Sequence, residues 1–232
     1  MKIILLFFLN IFSILFSKLT FFFYKILYYV QWYIKPVPKF FNHQIDLNYL
    51  SIRDKNYFFM LRGFHNIKSI NPGDVVLEIG SGDGFFSKFF YSNTVKSIDC
   101  VDSSKHALSY YKTSKKIKFI CDDFMLYDFK KKYDVIIADA VIQYFKKENM
   151  PSFLLKVTKS LKTSGSFTGM TVKRRKDNKK ISHHKYEFES KEELTNFLKK
   201  YFQEVEIYEP KYLERSELYF RCSHFLNEEL IK

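Results

Sequence analysis

The stretch "VVLEIGSGDGFFSKFF" (residues 75–90) constrains the fold more than any other. An apolar run broken only by Glu78 leads into Gly80, Gly82 and Gly84, and then into aromatics at helical spacing. Three alternate positions without a side chain let the backbone turn left-handed and approach a ligand closely. A strand passing through such a turn into a helix is the opening unit of a parallel α/β sheet. After it, short β-rich runs alternate with helix-period segments. Strands are expected at 74–78, 95–102, 117–121, 133–139, 166–172, 204–208 and 218–222, and helices near 84–91, 104–113, 150–161 and 191–201. Apolar strands alternating with helices imply a parallel sheet covered on both faces. The last two strands have no helix between them and are expected to pair antiparallel.

In such sheets ligands bind beyond the carboxyl ends of the strands, where the strand order reverses. The dinucleotide fingerprint is G-x-G-x-x-G, with pyrophosphate on the helix N-terminus. Here the spacing is G-x-G-x-G, and Phe85 stands where that pattern wants glycine. A carboxylate just before the turn, Glu78, repels pyrophosphate and suits a cation. S-adenosylmethionine, with a sulfonium and an α-ammonium and no phosphate, meets both conditions. Asp102 ends the second expected strand 22 residues after Gly80, where an acidic side chain accepts both ribose hydroxyls. Asp122 and Asp123 end the third, placed to accept from an adenine amine with Phe124 or Met125 against the ring. Asp139 ends the fourth, followed by Ala140, Val141 and Gln143. Each acid taken singly is more often a helix cap or a solvated loop carboxylate; Asp102 before Ser103 and Ser104 is such a case. Together, at consecutive strand ends, they form one rim.

The stretches "VLEIGSGDG", "IDCVDSS", "CDDF", "YDVIIADAVIQYF" and "SLKTSGSFTGMTV" resemble the class I S-adenosylmethionine-dependent methyltransferases over roughly residues 70–210. The resemblance implies a Rossmann-like fold, a seven-stranded, mostly parallel sheet with an antiparallel last strand, with an N-terminal helical segment added to it. The cofactor-binding set it implies is Glu78, Gly80, Ser81, Gly82, Gly84, Asp102, Ser103, Asp122, Asp123, Phe124, Asp139 and Ala140. Glu78 and the glycines would hold the amino acid end, Asp102 the ribose, Asp123 or Asp122 the adenine, and Asp139 with Ala140 the methionine arm. "KTSGS" replaces the paired glycines that this family commonly shows before the fifth strand.

Transfer of an activated methyl asks the protein to align a nucleophile, exclude water and take up a proton. "SHHKYEF" (182–188) offers His184 and His183 as bases, and "FFNHQIDLNY" (40–49) offers His43, with Asp46 and Tyr49, from a lid or cap. A solvated loop and a helix-start cap are the competing readings of these two segments. Gln143 and the "LERSELYFRCS" segment (213–223), with Arg215, Tyr219 and Arg221, add polar groups near the same rim. "DAVIQYF" lacks the Asn/Asp-Pro-Pro-aromatic pattern of nucleobase amino-methylation, and the six Lys/Arg of 173–180 lack interleaved aromatics, so nucleic acid is an unfavoured partner. The expected acceptor is a small molecule or a lipid- or sugar-linked intermediate. An RNA or protein methyltransferase and a membrane-tethered, non-catalytic adenosyl-ligand binder are the alternatives.

The N-terminal segment differs from the rest. From residue 3 to residue 34, 25 of 32 residues are apolar. That is enough for a spanning helix, an interfacial helix or a packed cap, with a cleaved signal disfavoured by the lack of a small-x-small site. Lys18, Lys25, Lys35 and Lys39 on its C-terminal side would hold the remainder at a cytoplasmic membrane face. The chain carries a formal charge of +13, of which five lysines in the first 40 residues supply part. The organisation expected is an apolar segment 1–35, a helical lid or cap 36–70, and a binding domain 71–232. Cys100, Cys121 and Cys222 have no metal-ligand spacing and read as core thiols of a reducing, cytoplasmic compartment.

Overall fold

A computed structural model describes residues 2–34, 43–108, 114–175, 183–211 and 216–226. The chain divides into two compact units, Met1–Met60 and Leu61–Lys232. The first holds α1 (Lys2–Tyr33) and α2 (His43–Asp54). Here α1 and α2 pack through the Tyr49 ring, which meets Phe21 (5.4 Å between centroids) and Tyr28 (4.6 Å), and through a buried hydrogen bond from Gln31 to Asp46 (3.0 Å). Asp46 and Tyr49, expected in a lid, are used in this packing. The helical pattern after residue 42 breaks at Lys55 and Asn56, both at positive φ (60° and 59°), and resumes as α3 (Tyr57–Ile67). Left-handed residues end an α-helix because the next N–H no longer points along its axis.

The second unit is a seven-stranded sheet in the order β3-β2-β1-β4-β5-β7-β6. Its strands are β1 (Val75–Ile79), β2 (Ser97–Asp102), β3 (Ile117–Cys121), β4 (Tyr133–Asp139), β5 (Leu161–Val172), β6 (Phe202–Tyr208) and β7 (Glu217–Phe225). The first five pair in parallel, and β7 runs antiparallel to both β5 and β6. Successive residues of β1 and β4 are buried, so both faces of the sheet are covered. Several elements depart from the periodicity. Residues 85–91 begin as one short helical turn and widen into a π-helical segment, Ser87–Tyr91. The helix α5 (Met150–Ser160) stops one residue early, and β5 starts there, five residues before the expected strand. The helix α4 is Lys105–Leu108, and the rest of the expected 104–113 helix lies outside the described residues. The helix α6 (Lys191–Leu198) ends three residues before 201. Cys100 and Cys222 are buried but Cys121 is exposed, because its position at the end of β3 faces solvent; it is no core thiol.

The two faces of the sheet differ in chemistry. Leu77, Ile79, Ile136 and Ala138 point into an apolar cluster with Phe153, Leu154 and Val157 of α5, and with Phe167 and Phe220. Glu78 is the register partner of Ile137, so it shares the opposite face with Asp139, two residues further along β4. That face receives α3 and the π-helical segment. Asn66 of α3 donates to the Tyr91 hydroxyl (3.1 Å) and accepts from Thr168 of β5 (3.3 Å). Close approach is possible because α3 carries Gly63: a Cβ there would stand 2.2 Å from the Phe90 ring.

Candidate functional site

The strand order reverses between β1 and β4, since β1 leads on to β2 on one side and pairs with β4 on the other. In open parallel sheets the ligand crevice lies at such a reversal, at the carboxyl ends of the strands. Gly80, Gly82 and Gly84 line its β1 side at φ 64°, 56° and 69°. The turn is hooked to β2 by Gly80 N–H and Ser81 N–H, which both donate to the Val101 carbonyl (2.8 and 3.3 Å). A Cβ on Gly80 would lie 2.7 Å from a methyl of Val141, so the β4 loop presses directly on the turn. Ala140 on that loop is itself left-handed, at φ 58°, a conformation costly for a residue with a side chain. Its N–H donates to the Met170 carbonyl of β5 (2.9 Å), which holds it in place.

Asp102 joins the turn to the β2 loop. Its carboxylate accepts from Gly82 N–H and from Ser104 N–H, both at 2.8 Å. Burial raises its pKa, and the Ser104 and Gly82 amides oppose the rise. Each oxygen uses one lone pair on the backbone and keeps capacity for a second donor. Ser103 beside it is exposed. After β3, Asp122 accepts from Asp123 N–H (2.7 Å) and Asp123 accepts from Met125 N–H (2.8 Å), leaving two exposed carboxylates on a tight loop. Phe124 is 5% exposed, and its ring packs on Phe129 and Phe153 in the apolar cluster; Met125 is the half-buried neighbour.

Two buried acids stand beneath the glycine turn with different partners. Asp139 takes Arg62 of α3 in a forked ion pair, with Nε at 3.2 and 3.0 Å from its two oxygens and a terminal nitrogen at 2.9 Å. Burial alone would lower the guanidinium pKa, but the charge and hydrogen bonds of Asp139 outweigh it and raise the value. The same guanidinium stands 4.9 Å over the Phe86 ring. Glu78, in contrast, accepts from the Ser87 hydroxyl in the π-helical segment, with the Cys100 thiol alongside at 3.9 Å. Burial pushes its carboxyl up to about 8 against the Ser87 hydrogen bond, so it is neutral at pH 7.

This makes a pH prediction. The folded pKa of Glu78 lies above the unfolded one, so its contribution to stability is fully present in acid and is lost as pH rises, by about 1.4 kcal/mol per unit between roughly pH 5 and 8, while His183, held low, tilts stability the opposite way below about pH 6.5. Glu78→Gln should remove this decline, and urea midpoints across that window measure it. A difference between the wild-type and Glu78→Gln midpoints that does not change with pH would mean Glu78 is ionised in the folded protein.

The outer side of the crevice is built by β4's continuation and the histidine loop. Gln143 accepts Lys185 N–H (2.8 Å) and Tyr186 N–H (3.2 Å) on its carbonyl, and its buried side chain takes Thr171 (3.3 Å). At its far end the loop is pinned by Arg174 N–H on the Phe188 carbonyl (2.7 Å) and by the Tyr186 hydroxyl on Glu193 of α6. His184 is buried, with Nδ1 2.7 Å from a Glu187 oxygen. His183 is half-buried and stacks on Tyr144 (5.6 Å, 15°). Its pKa is lowered to about 4 by burial and then by His184. Tyr144 is 39% exposed, yet its hydroxyl is pushed up to about 12 by burial, with Arg62 pulling down and Asp102 pushing up. The same ring meets His184 edge-on (5.6 Å, 86°). The side chain of His43 and all of Arg215 lie outside the described residues. Tyr219 is buried and donates to Glu217 (3.1 Å), while Arg221 is exposed.

Sequence reasoning missed Arg62 and Tyr144. A signal existed for the first: "YFFMLRGFHNI" places one cation among aromatics on an otherwise apolar helix. Tyr144 carried none, being one of 17 tyrosines.

A family model described as a methyltransferase domain matches residues 76–165. Malonyl-[acyl-carrier protein] O-methyltransferase of Priestia megaterium (strain DSM 319 / IMG 1521) is 30% identical over 100 residues, 41% of this chain. The match spans only 36% of that relative's length. Among solved structures, N-methyltransferase NodS from Bradyrhizobium japonicum WM9, in complex with S-adenosyl-L-homocysteine, superposes with a TM-score of 0.58 at 17% identity, covering 74% of this chain and 89% of that one. The Burkholderia thailandensis 1,6-didemethyltoxoflavin-N1-methyltransferase, with S-adenosylhomocysteine bound, gives 0.58 at 16% identity, covering 75% and 84%. At these identities the two structures bear on the fold alone.

Proposed function

We propose that this chain, whose residues 76–165 match a methyltransferase domain and whose sheet order is that of the class I S-adenosylmethionine-dependent methyltransferases it resembles, is an enzyme that methylates a small molecule or a lipid- or sugar-linked intermediate on the cytoplasmic side. The observation that carries the reading is the crevice between β1 and β4, where the left-handed glycine turn, Asp102 and the Ala140 loop meet. The cofactor fits the residues present: Gly80 has no room for a side chain, and Asp102 keeps acceptor capacity beyond its two amides. Bound there, it supplies a methyl group activated by a sulfonium leaving group.

The remaining work falls to this chain. Asp102 accepts the ribose hydroxyls, and Asp123 or Asp122 accepts from the adenine amine. Gly80, Ser81, Gly82 and Gly84 present backbone to the amino acid end, and Ala140 with the Arg62–Asp139 pair walls the methionine arm. Glu78 acts from below, holding the π-helical segment through Ser87. Tyr144 and His183 form a flat, partly apolar surface for the acceptor. Where the acceptor is a hydroxyl or amine, its proton must leave as the new bond to carbon forms. His184 is the favoured recipient: Glu187, 2.7 Å from its Nδ1, would stabilise the imidazolium that forms when it takes the proton. His183 stays neutral at physiological pH but is the weaker base. The O-methyltransferase relative supports an acceptor presenting oxygen.

Titration of the full chain in detergent with S-adenosylmethionine and S-adenosylhomocysteine tests the cofactor. No heat and no shift in melting for a folded sample would remove the proposal. Methyl transfer from labelled cofactor into fractionated small-molecule, lipid and RNA extracts then identifies the acceptor class. With an acceptor in hand, His184→Gln is expected to lower kcat by about 10²–10⁴ and abolish the acid limb of the pH profile. An unchanged limb would move the role to another group.

A further inference from the structure

The two halves of α1 have different surroundings. Every side chain from residue 2 to residue 20 is exposed, and thirteen large apolar ones between Ile3 and Leu19 stand 39–82% exposed. From Phe21 onward a stripe at positions 21, 24, 28 and 31 is covered, which is the seam that receives Tyr49 and Asp46 of α2. One continuous helix therefore changes character within a turn of Lys18.

The bare half has the dimensions of a bilayer. Nineteen residues at about 1.5 Å each make roughly 28 Å, against a hydrocarbon core of about 30 Å. Residues 3–9 are apolar without interruption and circle the helix completely, so this half has no polar face with which to lie in an interface. Ser13 and Ser17 can turn their hydroxyls back to carbonyls one helical turn earlier, leaving Asn10 as the single amide to be accommodated. Lys18, one turn before the docked seam, has a stem long enough to reach headgroups. The second half has two faces: its seam carries a buried amide–carboxylate hydrogen bond from Gln31 to Asp46, with the Arg53 guanidinium 5.7 Å over the Tyr49 ring, while Phe22, Phe23, Ile26, Leu27, Tyr29 and Val30 stand 44–57% exposed on the other side.

We propose that residues 2–20 form a single membrane span whose inner boundary falls between Lys18 and Phe21, and that the α1–α2 stem lies at the membrane surface beyond it, with the exposed apolar side chains from Phe22 to Val30 against the headgroup region. Lys18 sits at the inner boundary and Lys25, Lys35 and Lys39 follow it, against Lys2 alone at the outer end, and this asymmetry orients the stem and everything after it to the cytoplasm. The inference does not depend on the methyl-transfer reading.

The test uses the full chain expressed in a bacterium. The protein should sediment with membranes, resist alkaline carbonate and urea, and show an intact mass that retains residues 1–34. Leu9→Arg combined with Phe12→Arg should lower the carbonate-resistant fraction at least tenfold. Tyr49→Ala, in the stem, should leave that fraction unchanged. Native Cys121, exposed on the sheet unit, reports orientation. An impermeant maleimide should label it in inverted vesicles and not in spheroplasts. Release by carbonate would make the helix peripheral, a shortened mass would make it a cleaved leader, and labelling in spheroplasts would reverse the orientation. Each of these overturns the proposal.

Discussion

Arg62→Met is expected to destabilise the sheet unit by about 3–5 kcal/mol, because it leaves a buried carboxylate without its cation. Asp139 has 4% of its side chain exposed and accepts three contacts from this one guanidinium. Methionine fills much of the same volume, so the loss reports the uncompensated charge rather than a cavity. The control is the double variant Arg62→Met with Asp139→Asn, which should regain most of the stability, since removing both charges removes the penalty. Urea midpoints at constant slope measure both. A single variant within about 1 kcal/mol of wild type would show that Asp139 finds water or a proton instead. Arg62→Lys should fall between, because an ammonium lacks the fork and the planar face that rests on Phe86.

Asp102→Ala is expected to weaken S-adenosylmethionine binding by at least about 100-fold, since each hydrogen bond to a charged acceptor contributes about 1.5–3 kcal/mol and two ribose hydroxyls are involved. The substitution also strips an acceptor from Gly82 N–H and Ser104 N–H, so the turn should loosen and the fold should lose about 1–2 kcal/mol. Asp102→Asn separates the two effects. Its amide oxygen still accepts from the turn, so stability should stay near wild type while affinity falls by about tenfold or more. An alanine variant that keeps wild-type affinity would place the ribose elsewhere along the rim.

Much of this protein was legible in its sequence, and the reason is local. β3 and β4 have the bounds their apolar runs predict, and Gly80, Gly82 and Gly84 take the positive φ values their spacing demands. Asp102, Asp122, Asp123 and Asp139 stand at strand ends because period and turn chemistry operate over a few residues and need no distant partner. The direction each of those side chains takes was decided elsewhere. Glu78 reads as a rim carboxylate until the π-helical segment puts Ser87 above it and burial neutralises it. Phe124 reads as a cofactor contact until α5 supplies Phe153 and draws the ring into the core. Asp139 meets Arg62 across 77 residues, and Tyr144 meets His183 across a loop that Gln143's carbonyl holds. Residue type and spacing determined where the chain turns and which groups reach the rim. Which of those groups stay charged, and which become structural, was settled only when separate layers packed, because desolvation and ion pairing depend on neighbours that the sequence leaves far apart.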